Sequence, residues 1–241
     1  MGKHKPHPAG RPPKKVKPSE EDEEKGTIFF YMPNEKPHGV FCQWHPSPFS
    51  IPIASLQWLV DLAPAPPSSS TSSMSTATIS ASDILTNHAS TSPGNPNPFL
   101  SFTCAEQSYM YCKSLFFSDL HICSLILSTP DPKTQKKHGQ RVTNFSFAAW
   151  TTVKSRVARM GNWYKFTGGN EHAGKGAGNG NRHMRSVLLG TGVRELAEAG
   201  RRDRVWGIGY RAFEAEGYRD WWGENLLGVG CCGLGLGWFV G

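Results

Sequence analysis

The spacing of apolar residues along this chain predicts a mixture of helices and short strands. Residues 27–31 form a β-branched and aromatic run of strand length. Residues 145–160 carry apolar side chains at the spacing of one helical face, which predicts a helix with that face against the core. The predicted core-facing stripe consists of Phe147, Trp150, Val153 and Val157.

A clear helix start is predicted near the middle of the chain. Thr103 stands three residues before Glu106, which is the Thr-x-x-Glu pattern of a capping box, and helix-compatible residues follow over 107–117. Further helices are predicted for residues 119–127, for a short segment from Pro132 to about Gly139, and for residues 184–190, and a strand is predicted for residues 204–210.

Four low-complexity stretches interrupt this pattern. Residues 1–25 have almost nothing apolar to bury and are predicted to be a disordered tail. The Ser/Thr/Pro-rich residues 63–98 and the glycine-rich residues 168–181 are interpreted as flexible insertions. Residues 229–241 form a glycine-rich C-terminal tail and a poor helix, because each interior glycine costs about 1 kcal/mol relative to alanine.

These patterns together predict the fold class and the domain organisation. The expected fold is α+β, a single compact and mostly helical domain with a small sheet, spanning residues 26–228. The length of 241 residues suits one domain of ordinary size with tails and insertions.

The net positive charge of the chain favours anionic partners but does not distinguish between kinds of anion. The formal net charge is +7 and the sequence pI is about 9.2, but the Lys and Arg residues are scattered and form no dense stripe. A phosphate-bearing ligand therefore fits the charge as readily as nucleic acid does.

The cysteines and the hydropathy pattern indicate whether a metal site, disulfides or a membrane span should be expected. No CxxC pair or His-rich cluster is present, so neither a metal site nor a cofactor is expected, and the cysteines are expected to be free thiols in a reducing compartment. No apolar run reaches the length of about 18 residues that a membrane span needs. We therefore expect an intracellular protein, cytoplasmic or nuclear, without a membrane partner. The cysteines are Cys42, Cys104, Cys112, Cys123, Cys231 and Cys232.

Two sequence blocks carry a resemblance to a known family. The first runs from Phe102 to Lys113 and contains Ala105-Glu106-Gln107; the second runs from Leu188 to Gly209 and ends in Asp203-Arg204-Val205-Trp206-Gly207-Ile208-Gly209. Smaller matches are Gly139-Gln140-Arg141-Val142, Asn144-Phe145, Trp150, Lys165-Phe166 and Trp222-Gly223-Glu224-Asn225-Leu226-Leu227-Gly228. In this order, the pieces resemble the NADAR/YbiA-like family.

The resemblance implies a compact α+β domain that hydrolyses N-glycosidic bonds. The implied substrates are phosphoribosylamino-pyrimidine intermediates of riboflavin synthesis, or ADP-ribose attached to a base such as guanine. Nucleic acid is expected as a partner only when it carries that ADP-ribose. The alternative is a module that binds ADP-ribose or NAD without hydrolysis. Such a module does not need all three of the ionisable groups found in the matched blocks, so their presence favours the enzyme.

Those three groups are the candidate catalytic residues. Glu106 is a carboxylate for stabilising an oxocarbenium-like ribose or activating water, and its alternative role is to cap the helix. Lys113 lies two turns later on the same face and either binds phosphate or forms an imine with an opened ribose. Asp203 holds a ribose hydroxyl or a water, or is a turn residue.

Aromatic and glycine positions are the first group of candidate ligand contacts. Trp150 and Trp206 offer flat faces for a base, or are core aromatics. Gly207 and Gly209 let a ligand approach the backbone. Asn225 caps the terminal helix or hydrogen-bonds the ligand.

Three further residues complete the predicted site. Arg141 offers a guanidinium that fits phosphate in a bidentate manner, or forms a surface salt bridge. Gln43 and Trp44 occupy the place of a pocket-lining segment in the family, and are candidate contacts to the base.

Overall fold

The computed structural model describes residues 26–65, 79–92, 95–167 and 178–235. Its α-helices are α1 (Gln57–Asp61), α2 (Ala81–His88), α3 (Ala105–Phe116), α4 (Leu120–Leu127), α5 (Pro132–Gly139), α6 (Phe147–Thr167), α7 (Gly178–Gly190), α8 (Ala212–Ala215) and α9 (Leu226–Gly235). The strands are β1 (Ile28–Phe30), β2 (Phe49–Pro52), β3 (Ser90–Ser92), β4 (Asn95–Phe102) and β5 (Leu196–Glu198), and short 3-10 helices cover His38–Phe41, Ile53–Leu56 and Glu216–Trp221. The fold is α+β and mostly helical with small sheets, as predicted.

The described residues divide into two compact units. One unit comprises the described parts of 46–185, and the other those of 1–45 together with 186–241, so the division falls inside α7. A single domain over residues 26–228 stays a prediction. The predicted tail, residues 1–25, lies outside the described residues.

Helix α3 is the centre of the unit formed by residues 46–185. Every residue of α3 except Lys113 is buried, because α4, α5 and α6 all pack against it. A helix that is buried all round is a core element, and its polar groups must find partners inside the protein.

A three-stranded antiparallel sheet leads the chain into α3. Strand β4 lies between β2 and β3, with Phe49 opposite Phe102 and Ile51 opposite Leu100. Because β4 ends at Phe102 and α3 begins three residues later, the sheet fixes where α3 starts.

The predicted flexible insertion at 63–98 is wrong for its second half. Helix α2 begins with a capping box in which Ser80 and Asp83 hydrogen-bond each other's backbone N–H. Ala81, Ile84 and Leu85 are buried at helical spacing, and β3 and the start of β4 follow. Because the composition of this segment is mostly polar, its short apolar face was not recognised from the sequence. Residues 66–78 lie outside the described residues.

Two other helices differ from the sequence predictions at their ends. Helix α7 begins at Gly178, so residues 178–181 of the second predicted insertion are helical. In α6, Trp150, Val153 and Val157 are buried as predicted, but Phe147 is 69% exposed, and its predicted place in the core is wrong. Phe147 is the first residue of α6, so the core-facing stripe begins one turn later.

The second unit is built on a parallel strand pair. The predicted strand at 27–31 is confirmed as β1, and Ile28 pairs with Leu196 of β5. Behind the pair, Tyr210 and Tyr218 stack with 4.8 Å between ring centroids. The buried cluster comprises Ala197, Ile208, Tyr210, Ala215 and Tyr218, with Phe29, Trp221 and Trp222 against it.

The predicted strand at 204–210 is wrong, because this segment is a bent loop. Its carbonyl groups accept hydrogen bonds from the segment that precedes and begins α9. The bonds are Gly223 N to Ile208 O (2.9 Å), Glu224 N to Arg204 O (2.8 Å), Leu226 N to Val205 O (3.1 Å) and Leu227 N to Trp206 O (3.1 Å). Backbone hydrogen bonds therefore join residues 203–209 to residues 222–228, two of the segments that resemble the family.

Part of the glycine-rich C-terminus is helical, contrary to the prediction for residues 229–241. Helix α9 extends to Gly235 and packs against β5. A Cβ atom at Gly228 would lie 2.0 Å from the Leu196 carbonyl oxygen. Glycine has a low helix propensity, but at residue 228 it permits close packing of α9 on β5. Residues 236–241 lie outside the described residues.

The burial of α2 makes the corrected part of the insertion important for stability. We expect Ile84→Ala to lower the free energy of unfolding by about 2–4 kcal/mol, because a fully buried side chain is truncated. Urea unfolding followed by circular dichroism measures the change. The control Leu62→Ala truncates a side chain that is 58% exposed and should have little effect; equal effects of the two substitutions would contradict a core role for α2.

The packing of α9 on β5 depends on the absence of a side chain at residue 228. We expect Gly228→Ala to destabilise the protein by about 1–3 kcal/mol, since the new methyl group meets backbone atoms that cannot move aside cheaply. In Gly190→Ala the new Cβ has open space within 4 Å, so this helical control should be neutral or stabilising. Thermal unfolding distinguishes the two variants, and a neutral Gly228→Ala would disprove the close contact.

Candidate functional site

Gln107 ties the first turn of α3 to the residue that precedes it. Gln107 Oε1 accepts hydrogen bonds from the Thr103 backbone N–H (2.7 Å) and hydroxyl (3.1 Å). Cys104 is the N-cap residue and its side chain makes no capping bond. The predicted Thr103–Glu106 capping box is therefore wrong, because the helix begins one residue later than that pattern requires.

Gln107 belongs to a buried amide network around this turn. Its Nε2 donates to the carbonyl oxygens of Ile126 (2.9 Å) and Thr129 (3.0 Å). Gln135 accepts a hydrogen bond from the Cys104 thiol (3.3 Å) and donates to the same Thr129 carbonyl (2.8 Å). The two amides fasten the start of α3 to α4 and α5.

Glu106 lies in this turn with a buried cation close by. Glu106 is 6% exposed and Lys165 of α6 is fully buried. The pKa of the Cys104 thiol is raised mainly by burial; the negative charge of Glu106 adds to the rise and the positive charge of Lys165 opposes it. The structure thus brings a carboxylate and an ammonium group together around Cys104.

The close crossing of α6 over α3 explains how Lys165 reaches this position. A Cβ atom at Gly161 would lie 2.9 Å from Ser108 Oγ, so glycine allows α6 to approach α3 here. Lys165 follows Gly161 by one helical turn and shares its face. Lys165 lies in one of the segments that resemble the family but was not among the predicted site residues; the available signal was a lysine that continues the buried stripe of α6.

Lys113 lies at the far end of α3 in a different environment. Its Nζ donates to the Gly139 carbonyl (2.8 Å) and lies 4.1 Å from the centroid of the Phe145 ring. Burial lowers the pKa of Lys113. Lys113 is half-buried, and a lowered pKa makes the neutral amine more accessible than in an exposed lysine.

The other two predicted residues in this unit differ in burial. Arg141 is exposed and has no ion-pair partner within the described residues, so the salt-bridge alternative does not hold there. Trp150 is buried, and its Nε1 donates to Tyr109 Oη (3.0 Å). Its ring packs edge-on against Tyr109 at 5.4 Å, which is the environment of a core aromatic.

Asp203 shapes a loop in the unit that contains β5. Its Oδ1 accepts hydrogen bonds from the backbone N–H groups of Val205 (3.0 Å) and Trp206 (2.8 Å). This is the turn role considered for Asp203. Oδ2 has no hydrogen-bond partner among the described residues, and Trp206 is half-buried.

Gly207 and Gly209 serve contacts within the loop. A Cβ atom at Gly207 would lie 2.7 Å from the Glu198 carbonyl oxygen, and one at Gly209 would lie 2.8 Å from the Arg204 side chain. Gly209 also has a φ of +80°. The close approaches seen at these glycines are to the protein's own atoms, and a ligand contact at either glycine stays a prediction.

Asn225 stands at the N-cap position of α9, but its side chain bonds to β5. Oδ1 accepts from the Glu198 backbone N–H (3.1 Å), and Nδ2 donates to the Leu196 carbonyl (2.8 Å). The expected side-chain cap is therefore wrong, since both ends of the amide are engaged by the strand.

Gln43 and Trp44 follow the first 3-10 helix and are half-buried. The Oε1 atom of Gln43 is buried and has no hydrogen-bond partner among the described residues. A buried acceptor without a partner is costly, so Gln43 is suited to receive a hydrogen bond from a ligand.

Neither a metal cluster nor a membrane span is found in the described parts of the chain. No group of three or more His, Cys, Asp or Glu side chains there could hold a metal ion. No helix in the same parts has the length and apolarity needed to cross a bilayer. The cysteines with described side chains, Cys42, Cys104, Cys112, Cys123 and Cys231, are free and buried.

Comparison with known proteins identifies the family. The sequence model of the NADAR domain matches residues 29–231. The chain belongs to the NADAR domain family. N-glycosidase R617 of Acanthamoeba polyphaga mimivirus is 32% identical over 136 residues, which cover 56% of this chain and 73% of the viral protein.

Two further comparisons extend the picture. Protein irg-1 of Caenorhabditis elegans is 31% identical over 133 residues, which cover 54% of this chain but only 57% of the nematode protein. The NMR structure of the E. coli protein YbiA matches with a TM-score of 0.50 and 17% identity, over 88% of this chain and 84% of YbiA. YbiA shares the fold, and the family together with the viral relative supports a glycosidase-like hydrolase in this NADAR chain.

The pairing of charges around Cys104 can be measured. We expect Lys165→Met to lower the free energy of unfolding by about 3 kcal/mol, because it leaves the buried Glu106 without this cation. Adding Glu106→Gln should recover at least about 1 kcal/mol of that loss, since coupled sites are not additive. Urea unfolding of the two single variants and the double variant gives the coupling, and strictly additive changes would show that the two charges are independent.

Proposed function

We propose that this NADAR chain hydrolyses the N-glycosidic bond between a ribose and a base. The carrying observation is the buried carboxylate of Glu106 in the first turn of α3, with the fully buried Lys165 close by. A neighbouring cation favours the charged form of a carboxylate, which is the form that can stabilise a cationic ribose. The name of the viral relative supports the same reaction class.

The proposed reaction is a hydrolysis at C1′ of the ribose. The C1′–N bond breaks, and its electron pair leaves with the base, which takes up a proton. The oxygen of a water molecule bonds to C1′, and Glu106 accepts the proton that this water loses. The negative charge of Glu106 stabilises the positive charge that develops on the ribose before the water adds.

The remaining predicted residues have supporting roles in this proposal. Lys113 and Arg141 provide positive charge for phosphate groups, and Lys113 is alternatively the amine that forms an imine with an opened ribose. The unpartnered Oδ2 of Asp203 accepts a hydrogen bond from a ribose hydroxyl. Gln43 contributes its buried Oε1 as an acceptor for the base.

The proposed substrates are ADP-ribosylated guanine and phosphoribosylamino-pyrimidine. Both join a ribose to a base through nitrogen and carry phosphate, which suits the basic charge of the chain. Nucleic acid enters this proposal only as a carrier of ADP-ribosylated guanine.

One observation favours a second candidate, a module that binds ADP-ribose or NAD without cleaving it. Asp203 Oδ1 is engaged by two backbone N–H groups, so one of the three predicted catalytic groups has a structural role. Incubation with ADP-ribosylated guanosine and with phosphoribosylamino-pyrimidine separates the candidates. Release of free base by the purified protein supports the hydrolase, whereas binding without release supports the module.

Glu106→Gln tests the proposed role of the carboxylate. We expect turnover to fall on the order of a hundredfold or more, because an amide of similar shape cannot accept a proton or carry the negative charge. Base release is measured by chromatography, at a temperature where circular dichroism shows the variant to be folded.

The matched control for this variant is Glu216→Gln, which neutralises an exposed glutamate that forms a surface ion pair with Arg219. Its turnover should equal that of the natural sequence. If Glu106→Gln turned over substrate as fast as this control, Glu106 would have no role in the chemistry.

A further inference from the structure

His88, the last residue of α2, uses both nitrogens of its imidazole ring to contact two other helices. Nδ1 lies 3.2 Å from the hydroxyl oxygen of Tyr111 on α3, and Nε2 lies 3.1 Å from Oγ of Ser124 on α4. Both distances are those of hydrogen bonds. We call these three residues the histidine bridge. The bridge begins in the segment whose composition had suggested a flexible insertion.

The partners of the two hydroxyl groups determine which ring nitrogen carries the proton. The Ser124 hydroxyl donates to the Leu120 carbonyl (3.0 Å), so its oxygen accepts the hydrogen bond from His88 Nε2–H. In a neutral imidazole the other nitrogen is then an acceptor. Nδ1 therefore accepts from the Tyr111 hydroxyl, which has no other hydrogen-bond partner within the described residues. The bridge thus requires a neutral ring.

The histidine bridge is a second tie between α3 and α4. One helical turn before Tyr111 on α3, Gln107 donates to the carbonyl of Ile126 on α4. Ser124 precedes Ile126 by two residues. The His88 ring also packs edge-on against the Tyr111 ring, with 5.8 Å between their centroids. The docking of α2 therefore reinforces the contact between the two helices.

A proton on Nδ1 is incompatible with this arrangement. Nδ1 would become a donor facing the Tyr111 hydroxyl, and the hydroxyl proton would lose its acceptor. Tyr111 is fully buried, and a buried donor without a partner is costly. Tyr111 does not escape this cost by ionising, because burial raises its pKa. Burial lowers the pKa of His88, which also favours the neutral ring.

The carboxylates on the surrounding elements do not compensate a charge on His88. Each holds hydrogen bonds of its own, namely Asp83 of α2 with Ser80, Asp61 of α1 with Gln57, and Asp119 before α4 with Ile122 and Thr143. Glu106 and Lys113 lie five residues before and two residues after Tyr111, on other faces of α3.

The remaining titratable groups near the bridge are neutral or basic. Cys112 of α3 and Cys123 of α4 are neutral, because burial raises the pKa of each thiol. His121 is exposed on α4 one turn before Ser124, and a positive charge there would oppose a second one on His88.

We propose that the histidine bridge is a pH-sensitive switch, in which neutral His88 holds α2 against α3 and α4 and a proton on Nδ1 releases α2. Acid is the releasing condition, because a histidine whose pKa is lowered in the folded state binds its proton more readily when α2 has opened. The contribution of the bridge is fully present above the ordinary histidine pKa of about 6.5 and is lost as the pH falls below it. The switch does not require the proposed hydrolysis.

Backbone hydrogen exchange of the full chain tests the switch. We expect the protection factors of the α2 amides to fall several-fold, and at most about tenfold, between pH values of about 7.5 and about 5.5. The lower pH is about one unit below the ordinary histidine pKa, which limits the gain of the opened state to about tenfold. Helix α6 lies outside the bridge and should keep its protection factors.

His88→Gln is the matched variant, because its amide has an acceptor for Tyr111 and a donor for Ser124 but does not take up a proton. The protection of α2 in this variant should be the same at both pH values. The control His121→Gln removes the exposed histidine of α4, and α2 should respond to pH as in the natural sequence.

Tyr111→Phe tests the hydrogen bond to Nδ1. The variant removes the donor that a protonated ring would displace, so the pKa of His88 measured by NMR should rise towards that of an exposed histidine. An unchanged pKa in this variant would show that the Tyr111 hydroxyl does not hold His88 neutral.

Nitrogen-15 NMR of the natural sequence reports the proton position directly and needs no variant. We expect Nε2 to carry the proton at neutral pH and the pKa of His88 to lie below that of His121. A proton on Nδ1, or equal pKa values for the two histidines, would overturn the proposal even if His88→Gln failed to fold. So would α2 protection that ignores pH, that falls equally in His88→Gln, or that falls no more than the protection of α6.

Discussion

The complete burial of the first turn of α3 is the constraint on which the candidate site depends. The N–H groups of a helix start must be satisfied, and here little water is available to do so. Gln107 accepts a hydrogen bond from the Thr103 N–H just before this turn, Gln135 accepts one from the Cys104 thiol, and both amides donate to carbonyl groups of neighbouring segments. The adjacent carboxylate of Glu106 lies in the same buried turn with the Lys165 ammonium group close by, and the proposed hydrolysis depends on this arrangement.

In the other unit, close backbone contacts add to the side-chain packing of the buried cluster around Ile208. The loop that follows Asp203 and the segment around Gly223 share a row of backbone hydrogen bonds. A Cβ atom at Gly223 would lie 2.3 Å from the Arg204 carbonyl oxygen, so the row forms only with glycine there. Residues 203–209 and residues 222–228 thus form one structural element, although the centres of the two segments are 15 or more residues apart along the chain.

Local patterns predicted the helices well and the site only in part. The apolar spacing of α6 and the proline at the start of α5 were sufficient to find these helices, because both signals act within a few residues. Glu106 could be selected from its motif. The proximity of Lys165 to Glu106 could not, because it arises from the crossing of two helices whose contacting residues are more than 50 positions apart.

The errors have a common physical origin. Gly207 and Gly209 were interpreted as openings for a ligand, whereas the close approaches at both positions are to atoms of the protein itself. Phe147 fitted the helical period but lies in the first turn of α6, before the helix reaches the core. Composition likewise suggested a flexible insertion where α2 buries only three apolar side chains.

Asn225 shows how a side chain can act as a piece of backbone. With one acceptor and one donor bound to consecutive polar groups of β5, its amide occupies the place of a peptide unit in a third strand. This edge of the two-stranded sheet is therefore bonded by the Asn225 amide and, at the Glu198 carbonyl, by the Ile208 N–H. Aspartate could not do the same, because a carboxylate has no proton to give to the Leu196 carbonyl.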